Sequence, residues 1–268
     1  MENQIIKQLK ELREKTPLVH NITNFVVMNN TANALLALGA SPVMVHSVGE
    51  VRDVVALSNA LVINIGTLDR KWAKAMIKAA KKANKLNLPW ILDPVGAGIS
   101  PLRNEILREL LLLKPTVIRG NASEIIALHN SNLSTNKGVD STQSSNDALE
   151  AAKALNQQYG CVVCISGSID YILSDTRIAE VHNGDPMMTK VTGLGCTSTA
   201  LIGAFLGLNR NPFEEAVAGV AIMSLSGELA AQGANGPGSL QLALYDTLYQ
   251  LSDEQISKHV KLKCYANT

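Results

Sequence analysis

The alternation of apolar and polar positions divides the chain into a regular succession of helices and strands. Ile5, Ile6, Leu9 and Leu12 recur at helical spacing and predict an amphipathic first helix that Pro17 ends. Residues 18–24 then read as a short strand with a polar exit, and 25–38 as a helix with Gly39 in the usual stop position. A strand at 41–45 and a short helix at 51–59 follow. Ala60-Leu61-Val62-Ile63-Asn64-Ile65 is nearly continuous in apolar side chains, which suits a strand buried on both faces of a parallel sheet. Residues 71–87 predict a strongly amphipathic helix, 90–93 a strand, 102–113 a helix and 116–118 a strand, with Asn121 opening the next helix. The polar stretch 130–146 reads as an exposed loop. Beyond it come a helix at 148–159, a buried strand at 161–165, a hairpin over 171–179, and helices at 200–208, 213–232 and 240–251.

Strands alternating with helices at this rhythm indicate an α/β fold, a central mostly parallel sheet flanked by helices on both faces. No linker, repeat or composition break divides it, so residues 1–268 are expected to form one domain. Aromatics are only 4% of the chain against 46% hydrophobic residues, so the core must be aliphatic. A net charge of +1, with no basic run beyond the helix face at 78–85, gives no reason to expect a nucleic-acid or membrane partner. The polar N-terminus lacks an apolar signal core, and no apolar stretch is long enough to span a bilayer. Four cysteines do not make a disulfide framework at this length, which favours a cytoplasmic location.

In such sheets ligands sit outside the carboxyl ends of the strands. The topology expected here brings to that edge Asn21, Asn24, Asp93, Arg119, Asn121, Glu124, Ser166 and the run 191–200. In that run Gly193 and Gly195 let the backbone turn tightly, a helix start adds partial positive charge, and Cys196 sits where the amides converge. A thiol there is expected to have a lowered pKa. Asn121 and Glu124 have capping-box spacing, and Glu124 near Asp93 also suits hydrated Mg²⁺ beside a nucleotide. Cys161 and Cys164 form a CxxC inside an apolar strand, where they face opposite ways, so neither redox nor zinc chemistry is expected. Gly193-Leu194-Gly195 lacks the third glycine of a dinucleotide fingerprint, and no phosphate-binding P-loop is present.

Four stretches together resemble the hydroxyethylthiazole kinase family of the ribokinase-like superfamily, over essentially the whole chain. They are Pro17 through Asn24 running on to Gly39-Ala40-Ser41-Pro42-Val43-Met44; Leu92-Asp93-Pro94-Val95-Gly96-Ala97-Gly98; Arg119-Gly120-Asn121-Ala122-Ser123-Glu124; and Thr192-Gly193-Leu194-Gly195-Cys196. The resemblance implies a ribokinase-like fold and transfer of phosphate from ATP to 4-methyl-5-(2-hydroxyethyl)thiazole with Mg²⁺. It implies ATP-binding roles for Arg119 and Ser166, with Asn121 beside them. It implies substrate contacts at Met44, Gly193 and Asn24, metal-supporting carboxylates at Asp93 and Glu124, and a catalytic Cys196 with Gly193 and Gly195. Ser166 keeps the hydroxyl that some relatives present as Thr. Homotrimers with active sites between neighbouring subunits are also implied. The alternatives are a hydroxymethylpyrimidine or pyridoxal kinase of the same superfamily, a nucleotide-binding regulatory module without turnover, and a cysteine hydrolase with a His beside Cys196.

Overall fold

The computed structural model describes residues 1–132 and 145–267. A nine-stranded sheet runs through it. Its parallel part comprises β1 (Leu18–Ile22), β2 (Ser41–Val43), β3 (Ala60–Asn64), β4 (Trp90–Asp93), β5 (Val117–Asn121) and β6 (Val162–Ser166). The hairpin β7 (Asp170–Leu173) and β8 (Arg177–Val181) extends it antiparallel, and β9 (Leu262–Ala266) forms the last strand. The order β2-β1-β3-β4-β5-β6-β7-β8-β9 places β1 between β2 and β3, so the chain reverses its direction of travel across the sheet at β1. A reversal of this kind opens a crevice at the carboxyl edge.

Alternate strand residues feed two cores. Val19, Val62, Ile91, Val117 and Cys164 point into one, under α1 (Glu2–Lys15), α2 (Met28–Leu38), α8 (Leu194–Leu206), α9 (Pro212–Ala231), α10 (Pro237–Gln250) and α11 (Asp253–His259). Ile22, Ile63, Trp90, Leu92 and Val163 point into the other, under α3 (Val51–Leu57), α4 (Arg70–Lys85), α5 (Pro101–Leu112), α6 (Ala122–Asn132) and α7 (Ser145–Tyr159). The predicted helices on both faces are therefore present. Cys161 and Cys164 fall in opposite cores, and all four cysteines are free. Burial pushes the Cys161 thiol up to about 12 and Cys164 higher still, which leaves both as small apolar residues.

The main departures from the pattern are these. Residues 25–27 are a turn and α2 begins at Met28, because Asn24 Oδ1 accepts the Val26 N–H (3.1 Å) and holds the chain out of helix. Conversely α8 begins at Leu194, well before residue 200. Burial of nearly all its side chains outweighs the weak helix propensity of its Gly and Thr residues. α6 runs to Asn132 and α7 starts at Ser145, both inside the polar stretch expected to be loop; 133–144 lie outside the described residues. Finally, α11, β9 and a short 3-10 helix at Pro186–Lys190 had no counterpart in the pattern.

Candidate active site

All six parallel strands end at one edge, and the polar side chains there are hydrogen-bonded in sequence. At the end of β4, Asp93 is buried, and its Oδ2 accepts from Asn64 Nδ2 (2.7 Å) and Thr199 Oγ1 (2.8 Å). Asn64, the last residue of β3, is the register partner of Asp93 and accepts in turn from Asn24 Nδ2 (2.9 Å). The same Asn24 amide donates to Cys196 Sγ (3.5 Å). A continuous chain thus joins the thiol on α8 to the carboxylate on β4. Burial pushes Asp93 up to about 6; the nearby Arg119 charge and the two donated hydrogen bonds oppose the rise, and Glu124 adds to it.

Gly193 sets the entry to α8. It stands in the left-handed region at φ 80°, and a Cβ there would lie 2.3 Å from Val27 Cγ1, so no other residue fits without strain. It offers no side-chain cap, and the first intrahelical bond runs from Thr197 N–H to the Gly193 carbonyl (2.9 Å). The amides of Leu194, Gly195 and Cys196 are left pointing outward, with the positive end of the helix behind them. Gly195 serves a different purpose than turning. Its φ is not positive; instead, a Cβ would meet the Arg119 guanidinium at 2.8 Å, so its bareness lets that cation lie against the helix start. The Arg119 guanidinium makes no hydrogen bond among the described residues. Its donors and the α8 amides therefore face one spot suited to an anion.

The thiol departs from expectation. Burial, then the charge of Asp93, push Cys196 up to about 11, and the nearby Asn64 amide and the hydrogen bond from Asn24 only partly offset them. The helix start does not make it a thiolate. Its neighbours are amides and no imidazole is bonded to it, so the hydrolase alternative lacks its base.

Farther along the edge, Glu124 completes the capping box. Its N–H donates to Asn121 Oδ1 (2.9 Å) and its Oε2 accepts from Asn121 N–H (2.9 Å). Its Oε1 also accepts from Gly96 N–H (3.1 Å), clamping the glycine-rich loop after β4. Asn121 and Ser166 are register partners at the ends of β5 and β6, and Ser166 Oγ reaches the Gly120 carbonyl (3.4 Å). Met44 follows β2 on the far side of β1 and is half-buried. The loop after it is tied down by His20 Nε2, which donates to the Val45 carbonyl (2.8 Å). His46 accepts the Thr23 N–H (3.2 Å) and stacks on Trp72 (4.2 Å), which also meets Phe25 (4.6 Å).

The sequence-predicted residues thus form two groups. Asn24, Asp93, Arg119, Gly193, Gly195 and Cys196 converge around the start of α8, whereas Asn121, Glu124 and Ser166 sit together over β5 and β6. Met44 stands apart, toward the sheet edge. Sequence reasoning missed Asn64 and the aromatic group Phe25, His46 and Trp72, and it gave Thr199 no role of its own within the run 191–200. Asn64 carried a legible signal, a polar residue near the end of an otherwise apolar strand. Nothing local linked Thr199 to Asp93, 106 positions earlier.

The model of the hydroxyethylthiazole kinase family matches residues 9–254. The chain belongs to that family. A hydroxyethylthiazole kinase of Leptospira biflexa is 51% identical over 259 residues, covering 96% of this chain and 97% of that protein. One from Aliivibrio salmonicida is 52% identical over 260 residues, 97% of each. Among solved structures, that of a hydroxyethylthiazole kinase protein from Pyrococcus horikoshii superposes with a TM-score of 0.91 at 39% identity, covering 97% of this chain and 98% of the other. A pyridoxal kinase of Staphylococcus aureus, in complex with AMP-PCP and pyridoxal, gives 0.68 at 14% identity over 94% of this chain and 99% of its own. At that identity the likeness is one of fold, and it agrees with the ribokinase-like architecture. Membership of the hydroxyethylthiazole kinase family, at half identity over nearly full length, separates this chain from its pyridoxal-directed neighbours.

Proposed function

We propose that the chain transfers the γ-phosphoryl group of ATP to the hydroxyl of 4-methyl-5-(2-hydroxyethyl)thiazole, with Mg²⁺ required. The observation that carries this reading is the meeting of the outward α8 amides and Arg119 with the Cys196–Asn24–Asn64–Asp93 chain. One half of that meeting suits a phosphoryl group and the other half an alcohol.

Phosphoryl transfer passes through a loose transition state, so positioning and charge stabilisation matter more than early deprotonation of the acceptor. The amides of Leu194, Gly195 and Cys196, with Arg119, collect charge on the equatorial oxygens. Cys196, a neutral thiol at physiological pH, positions the acceptor oxygen for in-line attack on phosphorus. The O–P bond to the alcohol forms as the bond to ADP breaks, and the alcohol proton leaves late, to an oxygen of the transferred phosphate, from which it exchanges with solvent. Asn121 and Ser166 extend the nucleotide side at the ends of β5 and β6, while Met44 and Asn24 bound the thiazole side.

The carboxylates fit a hydrated magnesium ion. The Glu124 charge adds to the rise in the Asp93 pKa, a conflict a cation relieves; Asp93 Oδ2 is taken up by Asn64 and Thr199, which leaves Oδ1 for a ligand, and each Glu124 oxygen keeps a lone pair beyond its one protein hydrogen bond. When bound, the ion neutralises charge on the phosphates.

Exposure of Phe25 (66%) and Val26 (56%) beside Asn24 supports a homotrimer in which a neighbour covers this corner of the site. Light scattering that gives a monomer at working concentration would remove that part. Among the described residues no helix is long and apolar enough to cross a membrane, in keeping with action in the cytoplasm.

The test of the reaction is ADP release from ATP and Mg²⁺ with the thiazole alcohol, hydroxymethylpyrimidine, pyridoxal or ribose as acceptor. Release fastest with the thiazole alcohol is expected. Faster release with pyridoxal or hydroxymethylpyrimidine would move the chain to a sister activity, and none with any acceptor would defeat the enzyme reading.

A further inference from the structure

Asn64 has both ends of its side chain engaged, and the partners fix which end is which. A backbone N–H can only donate, so the atom facing Gly66 N (2.9 Å) is Oδ1, and the atom facing Asp93 Oδ2 (2.7 Å) is Nδ2. The same reasoning fixes Asn24. Its Oδ1 takes the Val26 N–H (3.1 Å), which turns its Nδ2 toward Asn64 Oδ1 (2.9 Å) and Cys196 Sγ (3.5 Å). Asn64 is buried at 1% exposure, so none of these bonds is replaced by water. Gly66 lies so close under Asn24 that a Cβ there would meet Asn24 Nδ2 at 2.6 Å. The loop after β3 therefore holds Asn24 from below while Asn64 orients it from the side.

We propose that Asn64 is a positioning residue that couples the acceptor side of the site to the phosphate side. Its carbonyl end sets the Asn24 amide, and through it the place of Cys196 and the acceptor hydroxyl. Its amide end orients the Asp93 carboxylate. The coupling rests on the proposed phosphoryl transfer and adds to it a division of labour within one side chain. Neither end can be exchanged for the other: a carboxylate at 64 accepts from Asn24 and Gly66 but cannot donate to Asp93, and an apolar side chain does neither.

The two ends are separable by substitution. Asn64→Leu is close in volume and removes both; Asn64→Asp is isosteric, keeps the acceptor end, and replaces the donor with a carboxylate oxygen facing Asp93. Steady-state kinetics are measured with ATP and the thiazole alcohol each varied at saturating Mg²⁺. For Asn64→Leu the acceptor KM rises about tenfold and kcat falls about tenfold, while the ATP KM stays within about twofold. For Asn64→Asp kcat falls about tenfold and the acceptor KM stays within about twofold. Variants that melt at lower temperature yet keep every kinetic constant per folded molecule would make Asn64 merely structural and overturn the proposal. If Asn64→Leu does not fold, Asn64→Asp decides alone: a rise in acceptor KM matching its loss of kcat would refute the division. An unsubstituted chain that fails to phosphorylate the alcohol defeats the functional reading and this inference with it. Turnover in that chain with unaltered variants defeats only the role of Asn64.

Discussion

At the carboxyl edge of the sheet, Asn24, Asn64, Asp93 and Thr199 bond to one another, and beside them the Arg119 guanidinium and the first amides of α8 keep donors with no acceptor among the described residues. The amino edge looks at first like the better site. A cavity of about 1060 Å³ opens there, lined among others by Lys114, Asn156, Arg177, Asn211 and Asn267. Four of those five polar side chains are nevertheless engaged within the fold. Arg177 pairs with Glu214 (3.2 Å) and covers the Phe213 ring, Asn156 donates to the Cys161 carbonyl (2.7 Å), Asn267 donates to the Ser174 carbonyl (2.7 Å), and Asn211 caps α9. The size of a hollow therefore does not mark the chemistry. Convergent donors left over after the fold has satisfied itself do.

The sharpest way to break this contrast is to substitute one residue at each edge. Asp93→Asn keeps an acceptor for Asn64 and Thr199 but removes the charge, and is expected to lower kcat by about two to three orders of magnitude. Its melting temperature should hold or rise, because a carboxylate no longer has to be kept ionised away from water. Lys114→Ala, in the amino-edge cavity, should leave kcat and both KM values within about twofold. Equal losses in the two variants would end the distinction between the edges.

A smaller effect is expected at Cys196. With its pKa near 11 the thiol is protonated at neutral pH, so it acts by holding the acceptor and not as a nucleophile. Cys196→Ala should lower kcat about tenfold without abolishing it, and Cys196→Asp should keep or raise turnover. Complete loss in Cys196→Asp, read by the same kinetics, would argue for a covalent role instead.

The smallest effect lies again at the amino edge and touches stability alone. Glu215 lines a second hollow there with Lys114 and Thr116, and is buried at 1% exposure. Burial raises its pKa to about 7 from an ordinary 4.5, with the Arg210 N–H and charge opposing. A carboxyl whose pKa is raised by folding favours the folded state while protonated. That contribution is full below about 4.5 and is lost as pH rises through about 7. Glu215→Gln should therefore melt above the unsubstituted chain at about pH 8, with the gap narrowing toward about pH 5. A gap independent of pH would mean that ionisation of Glu215 plays no part.

Much of this is legible in the sequence. The apolar run 60–65 announced a strand buried on both faces, Asn121 and Glu124 announced a capped helix, and the period-two alternation put Cys161 and Cys164 on opposite sides. What escaped were features set by tertiary contact. Gly195 looked like a turn residue, yet its bareness accommodates Arg119, a residue 76 positions away in the sequence. The lowered thiol pKa expected of a helix start gave way to burial and to the charge of Asp93, neither of which local sequence reports. β9 was missed because Lys263, Cys264 and Tyr265 are all exposed and leave no alternation to read. α11, by contrast, carries a readable Ser252–Gln255 capping box.

The most direct test follows the phosphoryl group itself. The chain is incubated with ATP carrying a labelled γ-phosphate, Mg²⁺ and the thiazole alcohol, and the products are resolved by mass spectrometry and phosphorus NMR. Transfer at the carboxyl edge yields ADP and a thiazole phosphate ester that carries the label in equal amounts, and Asp93→Asn suppresses both. Labelled inorganic phosphate with the alcohol unchanged would mean that the site hydrolyses ATP without passing its phosphate on, and would contradict the pairing of an anion site with an acceptor site on which the proposed function stands.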